Sequence, residues 1–424
     1  MFEKNFNITA FLFVILALST WLDLNGVWVE LPLIVNEVPE GWALPSLLSF
    51  AVALSNTAPI IIMLLKAFFK GRLDERIFIY IEIIIGIVAC GLMAQYWNKT
   101  HWFAGAQHSV LFVIFVFLLG TLDTTSTVTY SDYMKRYDGK LLNALFLGES
   151  LTALIPSILA AIQGVGGEAV CSANSTQPEY SKPRFSVQVY FWIFAAIILS
   201  SLIAFLILEW TSISQSYRTE NYKTSDISQL CIQTEISSPL NLNLISDSMS
   251  KYMYYYLLAI AYIVNLLLFG ILPSIGTYVM LPYSQSAYYI ASLVLPISSL
   301  LSVIIALVGK SRLQLSTIIS LSFIATCLTV YVIVLAALSP CPPLHDTIGG
   351  AVIAIVCYFT AELVYSYIRL VIANRVRQEY EREHGLFWLG AISQMGALSG
   401  SIPMYFLINN MHVFKSRQVC RSYC

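Results

Sequence analysis

The sequence predicts an all-α polytopic membrane protein of eleven helical spans, six before a long polar segment and five after it. Three observations predict this. Of 424 residues, 58% are hydrophobic and 11% are charged, whereas a soluble domain carries about 25% charge. The mean hydropathy is +0.73. Apolar runs of roughly 20 residues, the length of a helix that crosses a bilayer, recur along the chain. The net charge of −1 gives no sign of a nucleic-acid partner. The expected partners are the lipid bilayer and a small molecule, with the chain as a monomer.

The first run, 8–35, is too long for a signal peptide and lacks a small-residue cleavage site, so it reads as the first span. Its middle is unusual. Trp21, Asn25 and Trp28 are spaced by four and three and share one helical face. Asp23 and Glu30 are seven apart and share another, and Gly26 between the two sets allows a bend. Lipid rejects an acid and an amide, so these faces are expected to look into protein or water. The next spans are 45–65, 77–97, 108–134, 141–163 and 187–209. Residues 210–250 are rich in Ser, Thr, Asn and Gln and read as a disordered cytoplasmic linker. The remaining spans are 252–280, 287–308, 313–338, 347–373 and 386–409. The chain thus divides into an amino-terminal half (1–209), a linker (210–250) and a carboxyl-terminal half with an extracellular tail (251–424), the two-half pattern of many carriers. No internal repeat is strong enough to prove duplication.

Basic residues orient the chain. With the amino terminus cytoplasmic, only Lys99, Lys182, Arg184, Lys415, Arg417 and Arg421 of the 23 basic residues fall outside. An odd number of spans then places the carboxyl terminus outside. The sequons at Asn98 and Asn174 fall on outside loops, where glycans are added. Cys171, Cys341, Cys420 and Cys424 are outside as well, where disulfides persist. Cys90, Cys231, Cys327 and Cys357 read as small buried apolar residues.

The polar residues inside the spans are the candidates for function. The fourth span carries Asp123, Ser126, Thr127 and Tyr130 on one face, with Thr124 and Thr125 beside them. The fifth has Glu149, Thr152 and Pro156. The seventh has Asn265 and then Gly270, Pro273, Ser274, Gly276 and Thr277, which suggests a broken helix. The tenth has Glu362, Tyr365, Ser366 and Arg369 on one face, and the eleventh has Gln394. Bland readings compete. Asn265 and Gln394 serve equally well to tie helices together, and Gly396 and Gly400 read as helix packing. Glu362 and Arg369 read as a structural ion pair or a gate. Tyr252, Tyr254, Tyr255, Tyr256, Trp97 and Trp102 read as an interfacial belt. Glu40, on the first outside loop, is either a gate or a solvated acid. No HExxH, GxSxG or P-loop is present, so an enzyme is not expected. No cofactor and no metal site are expected.

Several stretches together resemble the animal riboflavin transporters. They are Asn25-Gly-Val-Trp28-Val-Glu30-Leu-Pro32 with Glu37-Val-Pro-Glu40-Gly-Trp42; Leu119-Gly-Thr-Leu-Asp123-Thr-Thr-Ser126; Gly148-Glu149-Ser-Leu; Leu272-Pro273-Ser274; Ser339-Pro-Cys341-Pro; and Gln394-Met-Gly-Ala-Leu-Ser-Gly with Cys420-Arg-Ser-Tyr-Cys424. The resemblance covers nearly the whole chain outside 210–250. It implies an eleven-span plasma-membrane carrier that imports riboflavin, with a fold similar to the major facilitator and equilibrative nucleoside carriers. It also implies a disulfide between Cys341 and Cys420. Asp23 departs from the pattern, since relatives carry a neutral residue there, which leaves its role in proton sensitivity open. The ligand suits the residues. Trp21 and Trp28 offer stacking faces for a flat ring system. Asn25 and Gln394 both donate and accept, as a uracil-like edge requires. Glu30, Asp123, Thr124, Ser126, Thr127, Glu149, Asn265 and Thr277 complete the expected substrate-binding set, with Asp23, Glu40, Glu362 and Arg369 as gating or coupling residues. The expected arrangement sets Trp21, Asn25 and Trp28 as one wall and Asp123 with its neighbours opposite. A carrier of nucleosides or another flat heterocycle, and a membrane receptor without a transport cycle, stay open as alternatives.

Overall fold

Long apolar runs become helices here because a bilayer leaves no other way to satisfy their backbone polar groups. The computed structural model describes residues 2–69, 74–103, 105–134, 136–137, 141–164, 182–211, 213–214, 250–308, 313–345, 347–379 and 385–416. The helices are α1 (Phe2–Ala17), α2 (Leu22–Ile34), α3 (Leu44–Ser55), α4 (Thr57–Phe68), α5 (Glu75–Tyr96), α6 (Val110–Met134), α7 (Leu142–Gln163) and α8 (Val187–Trp210). After the gap come α9 (Lys251–Asn265), α10 (Leu272–Met280), α11 (Gln285–Val308), α12 (Leu315–Ala337), α13 (Ile348–Glu379) and α14 (Gly385–Tyr405). Strands β1 (His101–Phe103) and β2 (Ala106–His108) form a small antiparallel hairpin between α5 and α6. Among the described residues ten segments are long and apolar enough to cross a membrane, and the bent pair α1–α2, taken as one span, makes eleven. These agree with the expected spans to within a few residues, apart from the far end of the tenth, where α13 runs six residues further.

The break in the first span is not at Gly26. α1 and α2 meet at 48° across the four residues 18–21. Hydroxyls make the break. Ser19 Oγ donates to Leu16 O at 2.7 Å and Thr20 Oγ1 to Ala17 O at 2.8 Å. The same carbonyls also accept the Ser19 and Thr20 amides, at 3.2 and 3.1 Å, so the chain closes into tight three-residue turns after α1. Gly26 sits within α2 and serves close approach, because a Cβ there would enter the Phe194 ring of α8. The expected break in the seventh span is also different. The backbone stays helical from α9 to α10 through a π-helical turn, Leu266–Ile271. Gly270, Gly396 and Gly400 let that turn meet the α14 backbone, so the glycines of α14 are packing residues.

Helices α1–α8 and α9–α14 touch along α2, α3 and α7 on one side and α10, α11 and α14 on the other. Four hydrogen bonds join the two sets at the end that carries the β-hairpin. Thr277 Oγ1 donates to Trp42 O at 2.6 Å, Gln285 Nε2 to Pro32 O at 2.6 Å, Tyr289 OH to Ala160 O at 2.9 Å and Asn409 Nδ2 to Ser46 Oγ at 2.9 Å. Rings reinforce them, with Trp42 on Tyr278 and Phe50 stacked on Tyr405. We call this the hairpin end.

At the opposite end, charges fasten α5, α6 and α8 together. Arg76 binds Asp74 and Glu209, and Arg136 binds Asp74 and Glu75. Tyr133 OH donates to Glu209 at 2.6 Å. Burial pushes the Asp74 carboxyl up, but Arg76 and Arg136 outweigh it and hold the group below the ordinary carboxylate range. That contribution is present above the ordinary carboxylate pKa and is lost as pH falls through the lower folded value. Glu209→Ala removes an acceptor shared by Arg76 and the buried Tyr133 hydroxyl. It is expected to cost about 1–3 kcal/mol, read as a lower melting temperature of the purified chain, while Glu209→Gln keeps part of the loss at bay. An unchanged melting temperature would show that the cluster does not fasten these helices.

Tyr252, Tyr255 and Tyr256 are exposed, as a membrane belt requires, but Tyr254 turns inward. Trp102 is exposed and Trp97 is buried, so Trp97 is a packing residue. Of the cysteines expected to be buried, Cys90 is, Cys357 is half-buried and Cys327 is exposed on α12. Cys231 lies outside the described residues.

Candidate functional site

The site is built around α2. A helix that follows a break has free N–H groups at its start and a side-chain ring that repeats every 3.6 residues. Two opposed faces result. Trp21, Asn25 and Trp28 are all half-buried and packed at the edge of the core. Asp23 (0% exposed) and Glu30 (2% exposed) point the other way. Burial separates the two sets, and the aromatic and amide residues are the accessible ones.

On the accessible side, Asn25 Nδ2 donates to Thr152 Oγ1 of α7 at 3.4 Å, and Thr152 Oγ1 donates back to Glu149 O at 2.6 Å. Glu149 is half-buried one turn away on the same helix. Asn25, Thr152 and Glu149 thus form one polar edge where α2 meets α7. Across from it, α11 lies against both helices, with Tyr289 bonded to the end of α7.

On the sealed side the arrangement differs from expectation. Asp123 does not face the tryptophan stripe. It lies behind α2, fully buried, with its carboxyl facing that of Asp23. The reason is angular: residues 23 and 25 are about 200° apart on a helix, so one neighbour of α2 cannot meet both. Ser126 Oγ donates to Asp123 O at 2.8 Å, and Thr124 Oγ1 donates to Gly120 O at 2.8 Å. Both hydroxyls are turned into α6 and buried. The Thr127 side chain lies outside the described residues.

Glu30 accepts from Gln163 Nε2 at 2.8 Å, which also donates to Phe185 O. It ties α2 to the end of α7 and the start of α8. Asn265 donates to Ala261 O at 2.7 Å within its own helix, at the start of the π-helical turn. Thr277 bridges the two helix sets at the hairpin end. Gln394 is half-buried on α14 and makes no side-chain hydrogen bond among the described residues.

Glu362 and Arg369 do not pair. Seven residues separate them by about 10 Å along the axis. Glu362 accepts from Ser298 Oγ at 3.3 Å, and the Arg369 guanidinium lies 4.5 Å over the Phe269 ring, a contact worth about 0.5–2 kcal/mol. Glu40 is not a solvated acid. Its carboxylate is 5% exposed, accepts the Ser109 amide at 2.7 Å just before α6, and lies 3.4 Å from His108 Nδ1. Cys341 is disulfide-bonded, with its partner outside the described residues. Cys420 and Asn174 lie outside them too. Asn98 is exposed beyond the end of α5.

Some residues of this region were not anticipated. Glu82 of α5 is buried and accepts from Thr129 Oγ1 at 2.7 Å. Its signal was in plain view, an acid in the middle of the run 77–97. Gln163 and Ser298 gave no comparable signal, because single amides and hydroxyls are common at helix ends.

The family described as solute carrier family 52, riboflavin transporter, matches residues 5–416. The solute carrier family 52 riboflavin transporter member 3-A of Danio rerio is 33% identical over 438 residues, which cover 96% of this chain and 97% of that protein. Riboflavin transporter rft-1 of Caenorhabditis elegans is 30% identical over 99% of this chain and 100% of its own length. Among solved structures, the nucleoside transporter NupG superimposes with a TM-score of 0.57 at 12% identity, covering 98% of this chain and 92% of that one. A bacterial homologue of the lysosomal transporter Spinster, in an inward-facing conformation, gives 0.55 at 12% identity, with 95% and 81% covered. At such identities the structural likeness is one of fold.

Proposed function

The chain belongs to the solute carrier family 52 riboflavin transporters, and from that premise we propose that it imports riboflavin across the plasma membrane by alternating access. The match of the family over residues 5–416 carries this reading. The accessible stripe on α2 supports it chemically. Riboflavin has a flat tricyclic ring, an edge of alternating donors and acceptors, and a polyol tail. Trp21 and Trp28 offer stacking surfaces. Asn25 matches the polar edge, and Glu149 beside it accepts from hydroxyls of the tail. An uncharged ligand needs no buried counter-charge.

Bonds between the helix sets at the hairpin end support a state closed on that side. With the amino terminus cytoplasmic, that side is extracellular and the state is inward-open. Exposure of Asn98 near the hairpin suits a glycan on the extracellular face. Ser339 Oγ donates to Lys415 O at 2.6 Å, which brings the Cys341 loop within a few residues of Cys420 and supports that disulfide. The division into two halves joined through 210–250 rests on the same reading.

Purified chain in proteoliposomes is expected to accumulate riboflavin. Asn25→Ala is expected to raise the apparent KM about 3–10-fold, the loss of one hydrogen bond to ligand. Binding without accumulation would favour a receptor. Competition by nucleosides as strong as by riboflavin would favour a broader heterocycle carrier. Unchanged KM in Asn25→Ala would remove this stripe from the site.

A further inference from the structure

We propose that Asp23 and Asp123 form a proton-binding site, in which one proton is shared between two carboxyl groups at the break of the first span. Carboxylate oxygens only accept, so two carboxyls bond to one another only through a proton held by one of them. The Asp23 and Asp123 carboxyls face one another where α2 packs on α6. Neither residue has any exposed surface. Asp23 Oδ1 takes the Leu24 amide at 2.8 Å. Asp23 Oδ2 and both Asp123 oxygens receive no N–H or hydroxyl donor. A proton between the carboxyls is what those oxygens lack. Two bare charges in contact at such depth would repel strongly, since the surroundings screen little.

The neighbours supply no alternative. From α5 the pair is faced by Cys90, whose thiol donates to Phe191 O at 3.3 Å. From α6 it is faced by Tyr130, whose hydroxyl bonds to Ser19 Oγ at 2.7 Å, and Glu82 of α5 approaches that tyrosine. From α8, Phe194 packs on α2 and does not titrate, and Tyr190 faces Glu30 and Cys90 with its hydroxyl on Pro156 O; Ser55 of α3 and Thr152 of α7 do not titrate, while Glu149 of α7 lies on the Asn25 side. Among the described residues no lysine or arginine reaches either carboxyl. No group of three His, Cys, Asp or Glu side chains able to hold a metal is present among the described residues either. A proton satisfies the orphaned oxygens without any further ligand.

Location gives the site a use. Asp23 lies in the first turn of α2, directly after the break, and Asp123 lies on α6. With the proton bound, the pair clasps the start of α2 to α6. Once the proton leaves, two like charges face each other and the clasp becomes a repulsion at the hinge. Proton binding is in this way linked to the orientation of α2, which also carries Trp21, Asn25 and Trp28. The link to transport rests on the carrier reading above, whereas the proton site does not.

The test is an infrared pH titration of the purified full-length chain in lipid nanodiscs without substrate, joined to uptake across pH in proteoliposomes. Wild type is expected to lose one protonated-carboxyl band as pH rises, with a carboxylate signal appearing. Asp23→Asn and Asp123→Asn keep a hydrogen bond across the pair through the amide, and each is expected to lack that band. In both, the part of the uptake profile that follows the band is expected to disappear. Titrating bands identical to wild type in both variants would overturn the proposal. So would loss of the band with an unaltered uptake profile. If neither asparagine variant is recovered, Asp23→Glu, which displaces the carboxyl by one methylene, is expected to shift the band, and an unshifted band would overturn the assignment. Because the band is read without riboflavin, its absence is distinguishable from a mistaken substrate.

Discussion

Gly26→Val is expected to cut sharply the amount of folded chain at the membrane. Gly26 is buried in α2, and a Cβ built on it would lie inside the Phe194 ring of α8. Phe194 has no room to yield. It is 0% exposed, its ring centroid is 4.6 Å from that of Tyr190, and Phe191 packs beside it. Tyr190 is held in turn by its hydroxyl on Pro156 O at 3.3 Å. Overpacking of a tight core costs about 1–3 kcal/mol or more. A clash between backbone and a locked ring belongs at the top of that range, against a total stability of about 5–15 kcal/mol. The readout is the monodisperse fraction of detergent-extracted chain together with its surface abundance. Gly26→Ala is expected to be milder, and Phe194→Leu is expected to restore part of the loss in Gly26→Ala. Wild-type abundance of Gly26→Val would mean that α2 and α8 are not in contact here.

That residue also shows where the sequence was legible and where it was not. The eleven spans were readable because bilayer thickness sets a length and lipid sets a composition, and both are properties of a single run of chain. The position of the break was not. Glycine is the usual mark of a bend, yet Gly26 serves a neighbour 168 residues away, visible only when α8 is in place. The true break is made by Ser19 and Thr20, whose hydroxyls compete for backbone carbonyls. Such residues are also common within intact membrane helices, so their spacing alone does not announce a stop. The π-helical turn at Leu266–Ile271 is a similar case. Gly270 and Pro273 were read as a break, but the α14 glycines pack against the turn and keep the backbone helical.

For the site, residue types were legible and partners were not. Periodicity set Trp21, Asn25 and Trp28 apart from Asp23 and Glu30, and the first three are half-buried where the two acids are sealed. Pairing across the fold has no period. Asp123 was expected across a chamber from the stripe and instead meets Asp23 behind it. Glu362 and Arg369 share a helical face, yet each finds a partner on a different helix. Opposite charges seven residues apart are too distant to bond, and the side chains follow nearer neighbours.

Removing two bonds at the hairpin end is expected to shift the chain toward a state open there. The double variant Thr277→Val with Gln285→Leu deletes the donors to Trp42 O and Pro32 O. Thr277 is fully buried and Gln285 is 7% exposed, so water does not readily replace either donor in the closed state. Once the end opens, both carbonyls reach solvent, so the loss falls on the closed state. Each net hydrogen bond is worth about 0.5–1.5 kcal/mol. Two together change the closed-to-open ratio by about 5–150-fold, enough to turn a minor open state into a major one. Spin labels on Trp102 and Val413, both exposed at this end and one on each helix set, report the opening as a longer distance population. Asn409 and Tyr289 remain as cross-set bonds, so the expected result is a redistribution between two distances and not a loss of fold. The aromatic face of α2 is untouched, and riboflavin bound from the hairpin side is expected to gain affinity as the open fraction rises. Unaltered distances would show that the ring contacts of Trp42 and Phe50, and not these bonds, hold the end shut.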